Sequence, residues 1–341
     1  MAGLAHSAGQ VWPAFALVTG LVLVGVVAEG EGLFAAAGSR LARVPAGGLG
    51  VYALALGLVA IVTAVLNLDT SVVFLTPVLL HLARVRGLDE APFLYGAVTM
   101  SNAASLYLPG SNLTNLIVLH GRHASGATFL AHMWSAALVS TLVTAVVLAV
   151  LFRRELRSRS TEGTDEPTRA RLGIGAAAIA IATVLVLATS APALPVLATG
   201  IVAALAARVS RTQIASVVDV RVLGGLFALA VLLGGVGRWW HGPVSLIDSV
   251  GRWPTAGIAA LATVLVNNLP AAVLLTPHAP VHGRALLLGL NLGPNLAVTG
   301  SLSAFLWLRI ARSLGASPSV VRYSQIGIVL VPVSLAASLL V

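Results

Sequence analysis

The sequence predicts an all-α polytopic membrane protein built from two inverted repeats, each with a re-entrant hairpin and a broken transmembrane helix. Three observations support this fold class: the composition, a motif that occurs twice, and the distribution of arginine. The chain of 341 residues is 58% hydrophobic and only 9% charged, whereas a soluble globular domain carries roughly 25% charged residues. The composition therefore places the chain in a lipid bilayer.

Ten apolar regions account for most of the chain. Eight of them are predicted spans, because each approaches the roughly 20 apolar residues that a transmembrane helix needs. The predicted spans are 11–28, 91–119, 128–151, 172–189, 192–207, 222–237, 283–308 and 320–341. The other two regions, 48–82 and 254–280, are interrupted near their centres. We interpret each as a re-entrant hairpin; the alternative is two full spans joined by a tight turn.

The two interruptions carry the same motif. Residues 67–77 read Asn-Leu-Asp-Thr-Ser-Val-Val-Phe-Leu-Thr-Pro, and residues 267–277 read Asn-Asn-Leu-Pro-Ala-Ala-Val-Leu-Leu-Thr-Pro. Asn, Val, Leu, Thr and Pro occupy the same places in both. A duplicated polar break inside apolar sequence is typical of transporters that hold a site at the membrane midplane between two repeats.

Arginine sets the expected orientation. All 20 basic residues are arginine, and the formal net charge is +9. If residues 153–171 are cytoplasmic, only Arg122, Arg238, Arg252 and Arg284 face outward, which agrees with the positive-inside rule. Both termini then lie outside a cell (inner) membrane, and the hairpins enter from opposite sides. This layout explains the basic charge without a nucleic acid partner.

The segment 153–171 also divides the chain. Its mixed charges with Ser, Thr, Gly and Pro are typical of a flexible linker. We therefore expect an N-terminal transmembrane repeat at 1–152, a basic cytoplasmic linker at 153–171 and a C-terminal transmembrane repeat at 172–341.

Asp69 is the only carboxylate deep inside an apolar region. A charged aspartate at a helix centre costs about 2.5–3.5 kcal/mol on insertion scales, so such residues usually have a function. We expect Asp69 to carry a proton or to help bind a coupling cation. The structural alternative is that Asp69 caps a helix that begins at Thr70.

Asparagines recur at both interruptions and inside two of the spans. Glycine and proline accompany them in the spans, where they favour unwound backbone that is tolerated only beside protein or a watery cavity. Asparagine amides there bind solutes or cations, although they also join helices by hydrogen bonds. The predicted substrate-binding or ion-binding residues are Asn67, Thr70, Ser111, Asn112, Asn115, Asn267, Asn268, Asn291, Gly293 and Asn295.

The same inventory argues against other chemistry. The chain has no cysteine, which excludes disulfides and thiolate metal sites. It has no Walker A motif, no zinc-protease histidine pair and no Gly-x-Ser-x-Gly elbow, so nothing points to an enzyme. We expect no cofactor and no bound metal.

Longer stretches resemble one family. Residues 265–277 and 289–310, with their Gly-Pro, Thr-Gly-Ser-Leu and Leu-Trp-Leu elements, resemble the arsenite permeases of the ion transporter superfamily. Residues 69–77 and 101–118 resemble the corresponding stretches of that family's first half. The resemblance covers about residues 14–341 and implies proton-coupled export of arsenite or antimonite as the neutral hydroxide. Without cysteine, the metalloid would be held through hydrogen bonds to its oxygens.

The resemblance carries further expectations. It implies two partners to test, a cytoplasmic ATPase subunit at 153–171 and a second copy of the chain. The N-terminal half looks shortened by two helices, and Leu68 replaces a residue that is usually Asn in the family. The alternatives are a sodium-linked dicarboxylate transporter or sodium–proton antiporter of the same superfamily, and a membrane scaffold that transports nothing. The hairpin tips lack the Ser-Asn-Thr typical of the dicarboxylate carriers.

Overall fold

The computed structural model describes residues 2–119, 125–157, 171–217 and 220–341. Every regular element in these residues is a helix, as the sequence predicts. Five helices are long and apolar enough to cross a membrane. They are α1 (Ala2–Gly30), α3 (Gly48–Val65), α4 (Leu68–Val85), α7 (Gly126–Leu151) and α17 (Val320–Leu339).

The other helices complete the predicted pattern. They are α2 (Leu33–Ala42), α5 (Glu90–Ala104), α6 (Leu113–Val118), α8 (Ile174–Ala188), α9 (Ala193–Ala206), α10 (Arg211–Val217), α11 (Val220–Trp239), α12 (Gly242–Asp248), α13 (Arg252–Val266), α14 (Asn268–Leu275), α15 (Gly283–Leu292) and α16 (Leu302–Ser313). The eight predicted spans correspond to α1, α7, α8, α9, α11, α17 and the broken pairs α5–α6 and α15–α16. The sequence does not predict the short helices α2 and α12.

The two halves repeat one order of elements. The first half runs through α1, α2, a hairpin of α3 and α4, the broken pair α5–α6, and α7. The second half runs through α11, α12, a hairpin of α13 and α14, the broken pair α15–α16, and α17. We call α3–α4 the first hairpin and α13–α14 the second hairpin. In the sequence, helices α8 to α10 come between these two runs of matching elements.

The hairpins open toward opposite ends of the bundle. The Arg84 guanidinium donates from Nη2 to the carbonyl of Leu314 at 3.0 Å, so α4 and α16 finish side by side at one end, which we call the basic end. The second hairpin finishes elsewhere, because Gln10 near the start of α1 donates from Nε2 to the carbonyl of Thr276 at 3.2 Å. Helix α1 runs from there toward the first hairpin, because Gly25 near its other end packs against Thr70 and Phe74 of α4. The repeats are therefore inverted.

The second limbs of the hairpins differ in length although both contain Thr-Pro. Helix α4 has 18 residues and continues through Pro77, whereas α14 has 8 residues and ends before Pro277. The second half also has a proline at position 280, which disfavours a helix as long as α4, since the residue before a proline disfavours helix and the proline itself offers no N–H. The first half has Leu80 at the corresponding position.

The two flanks of the predicted linker contact different elements. Glu155 forms an ion pair of 2.9 Å with Arg322 at the start of α17. The amide of Arg171 donates to the carbonyl of Glu31 at 3.1 Å. Residues 158–170, which form most of the linker, lie outside the described residues.

Arg86 closes the first hairpin at the basic end. Its side chain is 1% exposed. It donates from Nη1 to the carbonyls of Ala42 and Val44, both at 2.9 Å. It also donates from Nη2 to the carbonyl of Ala46 at 2.5 Å. One guanidinium thereby ties the end of α4 to the whole connection between α2 and α3.

Helix α17 approaches the broken second span without room for a side chain. A Cβ atom added to Gly327 would lie 1.9 Å from the carbonyl oxygen of Asn295. Tyr323, one turn earlier, donates from its hydroxyl to the carbonyl of Pro294 at 2.9 Å. Glycine at position 327 therefore allows α17 to hold the unwound backbone at 293–296 in place.

We expect Gly327→Ala to destabilise the protein by about 2 kcal/mol, the cost of overpacking a well-filled interior. The apparent melting temperature of the purified protein in detergent measures the effect. Gly257→Ala in α13 is the matched control, because an added Cβ there meets nothing within 4 Å. Equal melting temperatures for the two variants would contradict the close approach.

Candidate functional site

Four helices begin close together inside the bundle: α4 and α14, the second helices of the hairpins, and α6 and α16, the second helices of the broken pairs. Helix α4 packs against α16, and α14 packs against α6. Their first residues enclose a small cavity, to which α11 adds one side chain. The lining residues are Leu68, Asp69, Asn112, Leu113, Leu226, Asn267, Asn268, Leu269, Leu302 and Ser303. The inverted repeats thus bring positions far apart in the sequence to a shared interior site.

This cavity has a volume of about 20 Å³. That is room for about one water molecule. A larger solute requires the surrounding helix ends to move apart. In this conformation the site is therefore too small for a larger solute, and polar groups of both hairpin tips and of the broken pairs lie at its wall.

Asp69 contacts the opposite repeat across this cavity. The hydroxyl of Ser303, in the first turn of α16, donates to Oδ1 of Asp69 at 2.5 Å. Ser303 is 2% exposed. Asp69 is the only charged side chain among the residues that line the cavity. The expected isolated carboxylate is therefore present, and its partner is a hydroxyl from the second repeat.

Asparagines cap both hairpin tips. The side chain of Asn67 accepts from the amide of Thr70 at 2.7 Å. The side chain of Asn267 accepts from the amide of Leu269 at 3.4 Å. The alternative that Asp69 caps a helix beginning at Thr70 is wrong, because α4 begins at Leu68 and Asn67 is its cap. The cap leaves the Asp69 carboxylate available to the cavity.

The second tip has a strained backbone. Asn267 has φ 74° and ψ 152°, in a region that residues with a side chain rarely adopt. Its Nδ2 donates to the carbonyl of Thr299 at 3.1 Å, which ties this tip to the unwound part of the second span. Asn67, at the aligned position, has extended backbone with φ −171°. The two tips are therefore alike in sequence and different in backbone conformation.

A buried asparagine network joins the two broken spans next to the cavity. Asn291 accepts at Oδ1 from Nδ2 of Asn112 at 2.7 Å. It donates from Nδ2 to Oδ1 of Asn115 at 2.8 Å. The hydroxyl of Ser105 also reaches Oδ1 of Asn291, at 2.6 Å. Asn102 donates to Oδ1 of Asn295 at 2.7 Å. Only Asn112 belongs to both the network and the cavity wall.

The other predicted site residues lie around these two features. Thr70 is 1% exposed and packs its methyl group toward Gly25 of α1. The hydroxyl of Ser111 donates to the carbonyl of Ala64 at 2.9 Å, which ties the first broken span to α3. Gly293 packs closely against Ala260 of α13. These residues support the site and do not line its cavity.

The comparison with known proteins decides the family. Residues 3–300 match the citrate transporter family. The chain belongs to the citrate transporter family. This membership confirms the resemblance to the ion transporter superfamily and makes the chain a membrane transporter rather than an enzyme.

Two relatives match most of the chain, and a third matches less than half of it. The "46 kDa membrane protein" of Mycobacterium leprae (strain TN) is 22% identical over 97% of the chain and 86% of its own length. The "Arsenical pump membrane protein" of Escherichia coli (strain K12) is 22% identical over 94% of the chain and 83% of its own length. The "Silicon efflux transporter LSI3" of Oryza sativa subsp. japonica is 28% identical over 42% of the chain and 30% of its own length.

A solved structure supports the fold. The Alcanivorax borkumensis YdaH transporter, described as having an unusual topology, matches with a TM-score of 0.62 and 14% identity. The match covers 99% of this citrate transporter family member and 86% of the other chain. At this identity the likeness shows the fold alone.

The sequence analysis did not predict three polar residues at or beside the site of this transporter. Ser303 touches Asp69, while Asn102 and Ser105 join the asparagine network. The available signal was the polar run Ser301-Leu302-Ser303 after a glycine, which resembles Asn112-Leu113-Thr114 in the first repeat. Asn102 and Ser105 gave a weaker signal, because single polar residues are common in helices that pack together.

We expect Asn291→Ala to lower stability by about 3 kcal/mol, because the side chains of Asn112 and Asn115 each lose a partner in a buried position. The apparent melting temperature in detergent should fall by roughly 5 °C. Ser313→Ala is the control, since its exposed hydroxyl bonds only the carbonyl of Ile310 in its own turn. An unchanged melting temperature for Asn291→Ala would show that the asparagine network does not stabilise the protein.

Proposed function

We propose that this transporter is a proton-coupled secondary exporter of arsenite or antimonite, taken as the neutral hydroxide. One observation carries the proposal: a single carboxylate, Asp69, lies in the wall of a small cavity between the tips of two inverted hairpins. Intramembrane carboxylates at such midplane sites are typical proton relays. Two relatives carry the names of an arsenical pump membrane protein and a silicon efflux transporter, which supports export of a small inorganic solute.

The chemistry of the cavity wall suits such a solute. A metalloid hydroxide carries O–H donors and oxygen acceptors. Ionised Asp69 and the amide oxygens of Asn112, Asn267 and Asn268 offer acceptors, and the amide nitrogens offer donors. We propose that Asn67, Thr70, Ser111, Asn115, Asn291, Gly293 and Asn295 support this wall or join it when the helix ends separate.

In the exchange, ionised Asp69 binds an O–H group of the solute from the cytoplasmic side. A proton arriving from outside converts Asp69 to the neutral acid, which no longer attracts that donor as strongly. The solute leaves outward, and the proton leaves Asp69 toward the cytoplasm. The proton gradient thereby drives export.

The proposed orientation places the basic end in the cytoplasm of a cell with the protein in its inner membrane. Arg84, Arg309, Arg312 and Arg322 belong to this end by position, and both termini then lie outside. The proposed division remains an N-terminal repeat at 1–152, a cytoplasmic linker at 153–171 and a C-terminal repeat at 172–341. A cytoplasmic ATPase subunit at the linker and a homodimer are further proposals, which co-purification with labelled partner and cross-linking in membranes would test.

Arsenite tolerance in a bacterial strain without its own arsenic pump tests the proposal. We expect expression of the chain to raise tolerance and to lower intracellular arsenic, and dissipation of the proton gradient to reverse both. Membrane location of the protein is verified in the same cells. Unchanged intracellular arsenic with the protein in the membrane would contradict the proposed substrate.

A sodium-linked transporter of a di- or tricarboxylate is the second candidate. The family description favours it. The convergence of helix N-termini at the cavity also favours an anion, because unpaired N–H groups and the helix dipole attract negative charge. Sodium-dependent uptake of labelled citrate or succinate into proteoliposomes, without any response to arsenite, would select it. A sodium–proton antiporter would instead show sodium-dependent proton movement alone.

A further inference from the structure

Ser303 forms the one described side-chain hydrogen bond to Asp69, and it comes from the other repeat. The two residues are 234 positions apart, and their 2.5 Å bond joins the first turn of α4 to the first turn of α16. Ser303 is nearly fully buried and lines the same cavity as the carboxylate. The bond therefore spans the cavity wall at a place where α4 and α16 must separate if a bound solute is to leave.

No other charged group competes for Asp69 in that wall. The lining residues from α6, α11, α14 and α16 are Asn112, Leu113, Leu226, Asn268, Leu269, Leu302 and Ser303, all uncharged. On α4 itself and on the described parts of the helices packed against it, the titratable side chains are His6, Glu29, Arg40, Tyr52, His81, Arg84, Glu90, Tyr95, Arg309 and Arg312. None of these lines the cavity. No other charged side chain in the cavity wall therefore influences the protonation of Asp69 by direct contact.

A serine hydroxyl has a single proton to donate. While Asp69 is ionised it can only accept, so the Ser303 proton is committed to Oδ1. When Asp69 takes up a proton it becomes a donor itself, and the charge-assisted bond is replaced by a neutral one of roughly half the strength. Protonation thus weakens the tie between α4 and α16 and frees the Ser303 hydroxyl.

We propose that Ser303 is a positioning residue that makes opening of the cavity depend on the protonation of Asp69, an inference that rests on the transport function proposed above. With Asp69 ionised, the bond holds the two helix ends together over the site. With Asp69 protonated, the ends separate and the solute leaves. Asp69 then binds either the proton or the solute but not both. Exchange of one for the other requires this.

Labelling with dicyclohexylcarbodiimide tests this role without any substrate, because the reagent modifies buried carboxyl groups in their protonated form. The modified fraction of the Asp69 peptide is measured by mass spectrometry against pH in reconstituted protein. Ser303→Ala removes a donor that favours the ionised carboxylate. We expect its labelling midpoint to move toward alkaline pH by about 1 unit.

Two further variants separate the hydroxyl from packing. Ser303→Thr keeps the hydroxyl and should restore the wild-type midpoint, while Ser313→Ala at the far end of α16 should not move it. Thermal melting in detergent confirms that each variant is folded. An unshifted midpoint in Ser303→Ala, or an equal shift in Ser303→Thr, would overturn the inference.

A second arm separates this inference from the substrate assignment. Arsenite is added before the carbodiimide, and protection of Asp69 reports solute binding at the carboxylate. A shifted midpoint without protection by arsenite supports the role of Ser303 and contradicts the proposed solute. Protection without a shifted midpoint supports the solute and overturns the role of Ser303.

Discussion

Asp69→Asn is expected to abolish proton-coupled export while leaving the fold intact. Asparagine has nearly the same shape, and its Oδ1 can still accept from the Ser303 hydroxyl that lies 2.5 Å from Oδ1 of Asp69. It cannot carry a proton. We expect intracellular arsenic in the pump-deficient strain to return to the level of cells without the transporter, a loss of activity of about tenfold or more.

Asp89→Asn is the matched control for this substitution. Asp89 caps α5 by accepting from the amide of Ala91 at 2.8 Å, outside the cavity. Asparagine caps helices as well as aspartate does, so transport should persist. Retained proton-driven export by Asp69→Asn, at equal amounts of protein in the membrane, would show that the carboxylate does not couple the proton.

Arg86→Ala is expected to produce the largest loss of stability. The carbonyls of Ala42, Val44 and Ala46 lose their shared donor. Val44 keeps the amide of Ala46 as a partner at 2.8 Å, whereas a buried acceptor left without any partner costs about 1–3 kcal/mol. We expect a loss of at least about 3 kcal/mol, visible as reduced membrane expression and a lower melting temperature in detergent.

Two further variants test whether the loss of stability comes from the geometry of the Arg86 guanidinium. Arg86→Lys keeps the charge but cannot span three carbonyls from a single ammonium group, so it should fail to restore stability. Arg40→Ala, at an exposed position on α2, should behave like the wild type. A stable Arg86→Ala protein would show that water replaces the guanidinium at these carbonyls.

Much of the fold could be predicted because its signals are local or repeated. Apolar length located the spans, and the aligned Asn67 and Asn267 marked the hairpin tips where both prove to be helix caps. The helices α2 and α12 escaped prediction because 10 and 7 residues are too short for a clear pattern.

The site was predicted less completely, for a physical reason. Asp69 stood out because a lone carboxylate is costly in apolar surroundings. Ser303 did not, because its importance comes from a contact 234 positions away, which no single segment reveals. The binding roles of Asn115, Asn291 and Asn295 stay predictions, since these side chains bond to the other broken span or its neighbours and do not face the cavity.

The cavity has a carboxylate on one hairpin tip only, with Leu269 on the other at the position aligned with Asp69. In the proposed exchange, one turnover can therefore return at most one proton for each neutral solute. Such a cycle moves net charge, so the membrane voltage drives it together with the pH gradient. Each 100 mV contributes about 2.3 kcal/mol per charge, which corresponds to a roughly 50-fold concentration ratio. A cell with a strong voltage and no pH gradient would still expel the solute.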